Sequence, residues 1–424
     1  MKVLVVGSGG REHTLVWKIA QSPRVERVFC VPGNAGIARD ATCVTLPLKP
    51  PFAELIDFVR REGISLTVVG PEDPLAEGIV DHFEQARLRA FGPCRQAAQM
   101  EASKKFAKAV MVEGGVSTAA YGEFTSLDEA RPYIARCTLP VVIKFNDLAK
   151  GKGVTIHRDR AEAEAQLVEI FEKRIFGNPS NGVVIEEFLE GEEASVLAFV
   201  DSRTVVPMEA AQDHKPIYDG DRGPNTGGMG AYCPAPVVDE KTAMDVHGRI
   251  LEPTVAALRR RGIVYKGVLY AGLMMTKDGP KVLEFNCRFG DPEVQAVLPR
   301  LENDIVDVME AVVEDRLSDV KLSWSKQHAI CVVAASGGYP GDYEKGKAIS
   351  GLEEVSREVL IFHAGTAMKD GRIVTSGGRV LGITALGDTL AEAQRRAYSA
   401  LARIHFDEIY YRRDIGYRAL ERQQ

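Results

Sequence analysis

Short apolar runs alternate with helical periodicity through the first hundred residues. Apolar runs predict strands, and periodic stretches between them predict helices. The strands fall at 3–6, 28–31, 66–69 and 89–91, and the helices at 11–20, 52–61 and 75–85. This alternation predicts a doubly wound parallel sheet with helices on both faces. Ligands of such sheets bind outside the carboxyl ends of the strands, so we expect this part to face a substrate.

The pattern changes after residue 93. Strands at 141–144 and 154–157 flank a loop of glycines and lysines, and residues 213–236 are long for a loop without structure. Long loops are usually functional or disordered, and the fixed-geometry residues here favour function. Helices are predicted at 96–113, 159–173 and 246–261, with strands at 183–188, 195–200, 269–275 and 281–284. A last α/β unit follows residue 324, with strands 329–335, 358–362 and 379–385 and helix 390–405.

Composition narrows the class of protein. The 424 residues predict about two to four domains. A hydrophobic content of 45% and a charged content of 26% are ordinary for globular proteins. The net charge of −6 gives no basic footprint for nucleic acid, although a basic pocket for a phosphorylated small molecule stays open.

Cysteine usage and the N-terminus predict a cytoplasmic protein with no membrane attachment. The seven cysteines are scattered and form no C-x-x-C pair, as in proteins with reduced thiols. The first residues run directly into a core strand without a signal-peptide layout, and no apolar run could span a bilayer. The histidines have no zinc-ligand spacing.

A glycine-rich turn, Gly7–His13, joins the first strand to the first helix. It lacks the third glycine of a dinucleotide fingerprint, because Glu12 stands there, and Pro32–Asn34 replaces the acidic ribose ligand expected after the second strand. An NAD-dependent oxidoreductase is therefore disfavoured. A phosphate or ribose contact with another ligand and a simple tight turn both remain open.

Two segments have the composition of a nucleotide site. After Lys144, the residues Gly151, Lys152 and Gly153 suit a loop that covers phosphates, or else a solvated basic hairpin; the loop is not a Walker A motif. The acidic turn 186–193 could offer backbone groups to an adenine edge and a carboxylate to ribose hydroxyls, although exposed acidic turns are common.

Strand 283–288 has the alternation of a metal site. Glu284 and Asn286 point to one face, and two such oxygen ligands completed by phosphates are a common magnesium arrangement. Arg288 shares that face and could stabilise a transferring phosphoryl group or bind a carboxylate. The other face is apolar, and we assign Cys287 a packing role there. A metal site is favoured over a solvent face because burying unpaired polar groups is costly.

Glycine-rich turns surround this strand in the sequence. The turn 290–293 adds two carboxylates that could orient Arg288 or bind a substrate amine. The loop 212–230 has closely spaced glycines that suit a backbone close to a ligand, or a flexible flap. The turns 335–340 and 376–379 allow either a structural or a functional interpretation.

Together these segments resemble the glycinamide ribonucleotide synthetase (phosphoribosylamine–glycine ligase) family of the ATP-grasp superfamily. The resemblance covers essentially the whole chain, and it depends on the order and spacing of many short motifs. They are residues 9–13, 32–36, 69–72, 91–93, 212–215, 223–232, 269–274, 284–293, 337–341, 362–366 and 377–380.

The resemblance implies an α/β protein of four parts. These are an N-terminal substrate domain with the doubly wound sheet (1–100), an ATP-grasp main subdomain (101–122 and 193–325), an ATP-grasp lid subdomain (123–192) and a C-terminal α/β domain (326–424). It also implies a monomer.

The resemblance implies roles for individual residues. Lys104 and Lys144 would contact the ATP phosphates, Glu284 and Asn286 would ligate Mg²⁺ or Mn²⁺, and Glu193 would bind the ribose of ATP. The residues that would flank adenine are Glu186, Glu187, Phe188 and Leu189. Those that would surround glycine and the acyl phosphate are Asp213, Asn225, Arg288 and Asp291.

The reaction implied is the ATP-dependent joining of glycine to phosphoribosylamine through glycyl phosphate, in purine synthesis. A purine-pathway ATP-grasp enzyme that activates bicarbonate or formate is the nearest alternative. A catalytically inactive regulatory homologue is another, because the phosphate loop departs from the family pattern Lys-Ala-Asp-Gly-Leu-Ala-Ala-Gly-Lys-Gly-Val. Here Phe145, Asn146, Asp147 and Lys150 replace Ala, Asp, Gly and the second Ala of the Ala-Ala pair, while Lys144 and Gly151–Gly153 are kept.

Overall fold

The computed structural model describes residues 1–146 and 153–422. Its N-terminal part is a five-stranded parallel sheet of order β3-β2-β1-β4-β5, as the apolar pattern predicts. The strands are β1 (Lys2–Gly7), β2 (Arg27–Pro32), β3 (Thr42–Cys43), β4 (Leu66–Val69) and β5 (Ala90–Phe91). The helices are α1 (Gly10–Ile19), α2 (Ile37–Asp40), α3 (Ala53–Glu62), α4 (Glu72–Ala76) and α5 (Ile79–Gln85).

Two helices that the sequence predicts as continuous are interrupted. Helix 75–85 divides into α4 and α5, because Gly78 adopts a left-handed φ of 86° between them. Helix 96–113 divides into α6 (Gln99–Ala102) and α7 (Lys104–Gly114). The break is at Ser103, whose extended backbone lets its hydroxyl accept a hydrogen bond from the Phe106 amide and cap α7.

The next unit is a four-stranded antiparallel sheet of order β6-β9-β7-β8 with two helices packed on it. Leu127, Ile143, Leu167 and Ile185 belong to its separate apolar core. The elements are β6 (Tyr121–Phe124), α8 (Leu127–Arg136), β7 (Val141–Phe145), β8 (Val154–His157), α9 (Arg160–Phe171) and β9 (Val183–Glu187).

The chain then enters a second antiparallel sheet through β10 (Glu192–Val200) and β11 (Val205–Pro207). Residues 213–236 contain more regular structure than a loop prediction implies. Strands β12 (Gln212–Asp213), β13 (Pro216–Tyr218), β14 (Arg222–Asn225) and β15 (Gly230–Cys233) lie in or beside this stretch. β13 and β14 form a separate hairpin.

Helices follow on one face of the second sheet. They are α10 (Glu240–Val246), a π-helical turn (His247–Leu251) and α11 (Glu252–Arg260), so the predicted helix 246–261 is the later part of a longer helical run. The sheet is completed by β16 (Gly267–Thr276) and β17 (Gly279–Asn286), in the order β11-β10-β16-β17. Helices α12 (Glu293–Val297) and α13 (Ile305–Val313) follow.

The C-terminal unit contains a five-stranded antiparallel sheet of order β12-β15-β18-β22-β19. Its later elements are β18 (His328–Ala335), β19 (Val359–His363), β20 (Thr366–Lys369), β21 (Arg372–Thr375), β22 (Arg379–Gly387), α14 (Leu390–Leu401) and α15 (Tyr417–Glu421). Short 3-10 turns are Pro179–Asn181, Leu298–Arg300, Leu317–Asp319 and Leu352–Glu354. β12 and β15 join this sheet although they lie within 193–325, and the four predicted domain ranges stay predictions.

The N-terminal and C-terminal units meet at a buried pair of histidines. The amide of His363 donates to Nδ1 of His13 at 2.7 Å, and Nε2 of His13 lies 3.1 Å from a carboxylate oxygen of Asp40. Nδ1 of His363 lies 3.1 Å from the Thr366 hydroxyl. Burial, followed by unfavourable electrostatic interactions with the neighbouring His13 and Arg39 side chains, lowers the pKa of His363 to about 3. His363 is therefore neutral in the folded protein at neutral pH.

This burial predicts a pH-dependent stability. A solvent-exposed histidine has a pKa of about 6.5, so as pH falls from about 6.5 to about 3 the unfolded chain gains a proton at His363 that the folded chain does not. Stability should therefore fall with pH in that window. His363→Asn should flatten the slope by up to about 1.4 kcal/mol per pH unit, measured by denaturant unfolding. His405→Asn, at an exposed histidine, is the control, and equal slopes in the two variants would contradict the prediction.

In the described part of the chain, no helix combines the length and apolar character that crossing a membrane requires.

Candidate active site

Strand β17 presents its polar residues on one face. Glu284 lies opposite Gly272 of β16, and Asn286 lies opposite Tyr270. Arg288 donates to the Asn286 side-chain oxygen at 3.3 Å, which places both on the same face, as the alternation predicts.

The neighbouring positions of β17 face the core. Phe285 and Cys287 are each 2% exposed and belong to the apolar cluster beneath the sheet. Burial raises the pKa of the Cys287 thiol well above its ordinary value. Cys287 therefore packs, as the sequence predicts, and its thiol is unsuited to nucleophilic attack.

Glu284 remains ionised in a cluster of positive charge. Burial alone would raise the pKa of this carboxyl, but neighbouring cations outweigh burial and hold it below its ordinary value. The cations, in decreasing order of effect, are Lys215, Lys144, Lys104 and Arg288. They come from separate elements of the chain, so tertiary structure assembles the cluster.

The donor set fits a magnesium ion. Glu284 and Asn286 supply two oxygens on one face, and Mg²⁺ usually takes one or two protein oxygens together with water and phosphate oxygens. Among residues 1–146 and 153–422, no group of three or more His, Cys, Asp or Glu side chains is arranged to hold a metal alone. The arrangement is consistent with a metal ion that takes some ligands from the protein and the others from the phosphates of a substrate.

Arg288 is held by two carboxylates that sequence reasoning did not select. Its guanidinium lies 2.8 Å from Glu101 of α6 and 3.5 Å from Glu72 of α4. Burial alone would lower the pKa of Arg288, but Glu101 and Glu72 outweigh burial and raise it above its ordinary value. Of the two carboxylates in turn 290–293, Glu293 adds to the negative charge that raises the pKa of Arg288, after Glu101 and Glu72. No local pattern could have identified Glu101, because its side chain is brought to β17 only by packing.

The four-stranded sheet β6-β9-β7-β8, which the sequence predicts as the lid, brings Lys144 to β17. Nζ of Lys144, on β7, lies 2.9 Å from a Glu186 carboxylate oxygen and donates to the Leu283 carbonyl at 2.9 Å. Lys144 and Glu186 are 8% and 2% exposed at their side chains. This contact links the four-stranded sheet β6-β9-β7-β8 directly to β17.

A small apolar cluster lies beside this lysine. Ala119, Leu189 and Met274 are buried together, with Leu283 packed against them. β9 ends at Glu187, which is exposed and accepts from the Ala120 amide at 3.0 Å, while Phe188 is partly buried with the Arg158 guanidinium 6.0 Å from its ring. An apolar surface at the end of a strand suits the face and edge of a nucleobase.

The other end of the site contains a buried carboxyl with an open oxygen. Asp213 is 9% exposed, and its Oδ1 has no hydrogen-bond partner in the described part of the chain. Burial, followed by the charge on Glu293, raises its pKa. Lys215 lies 2.7 Å from Glu193, and Glu293 accepts from the Tyr270 hydroxyl at 2.9 Å. Since buried polar atoms are normally paired, the open oxygen suits a ligand donor such as an amine.

Asp291 joins three units at the site. Its carboxylate lies 3.2 Å from Arg379 of β22, accepts from the Gln295 side chain at 2.8 Å, and accepts from the Arg11 amide at 3.3 Å. Burial opposes ionisation, but Arg379 and Arg11 hold the pKa of Asp291 below its ordinary value. Sequence reasoning found Asp291 but missed Arg379 and Gln295 as its partners.

Other predicted residues are exposed on a hairpin or lie at the edge of the described ranges or outside them. Asn225 is exposed at the end of β14, opposite Pro216. Gly151 and Lys152 lie outside the described residues, whereas Gly153 is buried and its carbonyl accepts from the Phe145 amide.

The altered residues before this loop have structural roles. Phe145 is 1% exposed and packs against Phe176, with ring centroids 5.6 Å apart. The Asn146 side chain accepts from the Lys105 amide at 3.0 Å, at the start of α7, and donates to the Asn181 carbonyl at 3.0 Å. Asp147 and Lys150 lie outside the described residues.

Two antiparallel sheets enclose buried lysines, a carboxylate suited to metal binding and an apolar surface suited to a nucleobase. This arrangement defines an ATP-grasp ligase. Comparisons with known proteins agree. Models of the phosphoribosylglycinamide synthetase N domain, ATP-grasp (A) domain and C domain match residues 1–101, 102–294 and 329–418. The chain belongs to the phosphoribosylglycinamide synthetase family.

Relatives and solved structures support this assignment along the full chain. The phosphoribosylamine–glycine ligase of Caldanaerobacter subterraneus is 52% identical over 98% of this chain and 99% of its own length. That of Escherichia coli is 49% identical over all of both chains. The crystal structure of phosphoribosylamine–glycine ligase from Thermotoga maritima is 35% identical, with a TM-score of 0.83 over 98% of this chain and 100% of that one. A biotin carboxylase domain from Hydrogenobacter thermophilus, 15% identical with a TM-score of 0.73 over 97% of this chain and 91% of that one, shares the fold.

Proposed function

We propose that this protein joins glycine to 5-phosphoribosylamine with consumption of ATP, and that the reaction passes through glycyl phosphate. The observation that carries the proposal is the ionised Glu284 among cations from both sides of the site. Lys144 comes from the lid and Lys215 from the loop that bears Asp213. Such a site has the charge to hold a polyphosphate and a carboxylate substrate together.

The nucleotide would lie between the lid sheet and β17. Lys104 and Lys144 would contact its phosphates, and the segment 186–189 would flank adenine beside the apolar cluster of Leu189 and Met274. Glu193 would bind the ribose hydroxyls, with Lys215 fixing its position at 2.7 Å.

Glu284 and Asn286 would hold Mg²⁺ or Mn²⁺. The ion would neutralise charge on the transferring phosphoryl group when bound. Arg288, fixed by Glu101 at 2.8 Å, would add a second positive group whose position does not depend on the metal.

The reaction would have two steps. A glycine carboxylate oxygen attacks the γ-phosphorus of ATP, the bond to the bridging oxygen breaks, and ADP leaves. The amine of phosphoribosylamine then attacks the carbonyl carbon of glycyl phosphate, the C–O bond breaks, and phosphate leaves as the amine loses a proton. The open oxygen of Asp213 would accept a hydrogen bond from the glycine ammonium group. Asp291 would border the same space, and Asn225 would approach it from the exposed end of β14. No side-chain nucleophile is needed.

Substrate dependence tests this proposal. ADP formation should require both glycine and phosphoribosylamine, and a heavy-oxygen label in the glycine carboxylate should appear in the released phosphate, because that oxygen leaves with phosphorus. Turnover with bicarbonate or formate in place of glycine would overturn the glycine assignment. Absence of any ATP turnover with Mg²⁺ would favour a regulatory homologue.

We further propose that the protein acts as a cytoplasmic monomer. Seven cysteines that form no disulfide in the described part of the chain support a reducing compartment. Light scattering should give a mass near 46.3 kDa, whereas twice that value would show a dimer.

A further inference from the structure

Besides Lys144, the site contains another buried lysine, Lys108 of helix α7, that the proposed chemistry does not use. Lys108 stands four residues after Lys104, so both lysines lie on the same face of α7. The Lys108 side chain is 3% exposed. Few lysines are buried to this extent without a paired charge.

The partners of Lys108 connect it to β17. Its Nζ lies 3.0 Å from Oε1 of Glu186 and donates to the Thr118 hydroxyl at 2.8 Å. That hydroxyl in turn donates to the Val282 carbonyl of β17 at 2.7 Å. The Tyr121 ring lies 4.9 Å from the same Nζ.

These contacts complete a ring of polar groups with Lys144. The second oxygen of Glu186 lies 2.9 Å from Lys144, which donates to the Leu283 carbonyl. The ring therefore leaves β17 at Val282, passes through Lys108 and Glu186, and returns to β17 at Leu283. It ends one residue before Glu284.

The charges in this ring are unequal. Two lysines share one carboxylate, so the group has a net charge of +1 that is available to phosphate. Without Lys108, Glu186 alone would neutralise Lys144, and the net charge would be zero. Glu187 also lies near, but its exposed carboxylate lies 3.3 Å from Lys281.

Lys108 depends on Glu186 for its charge. Burial lowers the pKa of Lys108, the Glu186 carboxylate opposes that shift, and Lys144 reinforces it. A buried charge in this position is retained only with a close opposite charge.

We propose that Lys108 is a positioning residue for the nucleotide phosphates: its positive charge, 3.0 Å from one oxygen of Glu186, offsets that carboxylate, so that the positive charge of Lys144 is left for the phosphate chain. This inference rests on the proposed contact between Lys144 and ATP phosphates. It adds a residue that touches no substrate but sets the electrostatic state of one that does.

The test compares a phosphorylated with an unphosphorylated nucleoside. In Lys108→Met, calorimetry should show an affinity for ADP about tenfold or more below that of the unmodified enzyme, as expected for loss of one charge-assisted contact. The affinity for adenosine should stay within about threefold, because adenosine has no phosphate for Lys144 to bind. The KM for ATP should rise, whereas the KM for glycine should not. Lys173→Met, at an exposed lysine of the same lid unit, should change neither affinity.

Other outcomes overturn the inference in distinguishable ways. Equal losses of affinity for ADP and adenosine would show that Lys108 only supports the local fold around Glu186. No loss of affinity for either ligand would show that Lys108 has no role in nucleotide binding. Lys144→Met separates the proposed function from this inference. If Lys144→Met fails to weaken ADP relative to adenosine, the phosphate assignment of Lys144 itself is wrong; if it does so and Lys108→Met does not, only the role of Lys108 is wrong.

A second variant covers loss of folding. If Lys108→Met does not fold, Lys108→Gln keeps a hydrogen-bonding group near Thr118 while removing the charge. In that variant the affinity for ADP, divided by the affinity for adenosine, should fall by about tenfold. An unchanged ratio in that variant would overturn the proposal.

Discussion

Replacing Glu284 by glutamine should lower kcat by about 10³-fold or more and leave the chain folded. Removal of one preorganised electrostatic group from an active site typically costs about 10²–10³ in kcat, and Glu284 is also a proposed metal ligand. The carboxamide keeps the shape of the side chain but removes the charge that faces Lys215 and Lys144. Four cations would then surround a neutral group, so binding of a divalent metal should weaken as well.

Steady-state ADP formation and a magnesium titration measure both effects. Asp278→Asn is the matched control, because it makes the same carboxylate-to-carboxamide change at an exposed turn between β16 and β17. Circular dichroism of both variants checks the fold. An enzyme with Glu284→Gln that turns over ATP at the rate of the Asp278→Asn control would refute the metal assignment.

Arg412→Met should destabilise the protein by about 3–5 kcal/mol, the range measured when one partner of a buried ion pair is removed. The Arg412 side chain is fully buried, and it donates to Asp221 at 2.8 Å, to Asp414 at 2.7 Å and to the Pro216 carbonyl at 3.1 Å. Methionine fills much of the volume but leaves two carboxylates with fewer partners.

This loss should also reach the active site. Arg412 connects the C-terminal segment to the β13–β14 hairpin, which follows directly after Asp213 and Lys215. The ring of His214, between those two residues, accepts from the Gly416 amide at 3.0 Å. A loosened hairpin should therefore raise the KM for glycine at temperatures where the chain is still folded.

The adjacent Arg413 provides the control. Arg413 is exposed, so Arg413→Met should change stability by no more than about 0.5 kcal/mol. Urea unfolding, followed by both fluorescence and circular dichroism, tests whether one transition describes each variant. If the two methionine variants unfold within about 1 kcal/mol of each other, the ion-pair cluster does not stabilise this part of the molecule.

The features that could be predicted from sequence share a local cause. The parallel N-terminal sheet follows from apolar runs separated by helical periods, and the two faces of β17 follow from the two-residue repeat of a strand. The helix interruptions at Gly78 and Ser103 were not predicted, because a helical apolar pattern continues through both positions.

The partners of the site residues could not be predicted in this way. The contact between Arg11 and Asp291 joins residues 280 positions apart, and Arg288, which follows β17, pairs with Glu101 of α6. Such contacts depend on how helices and sheets pack, which no local repeat records. Asn225, a motif position selected by resemblance, is exposed on a hairpin, and no local repeat predicts that exposure.

For this protein, sequence by itself determined the fold class, the family and the polar face of β17, because each depends on residue order or on a short repeat. Tertiary structure alone decided which charges surround Glu284, which carboxylates hold Arg288, and how Lys108 and Lys144 share Glu186. Electrostatic interactions act through space, so their balance is set only when distant elements pack together.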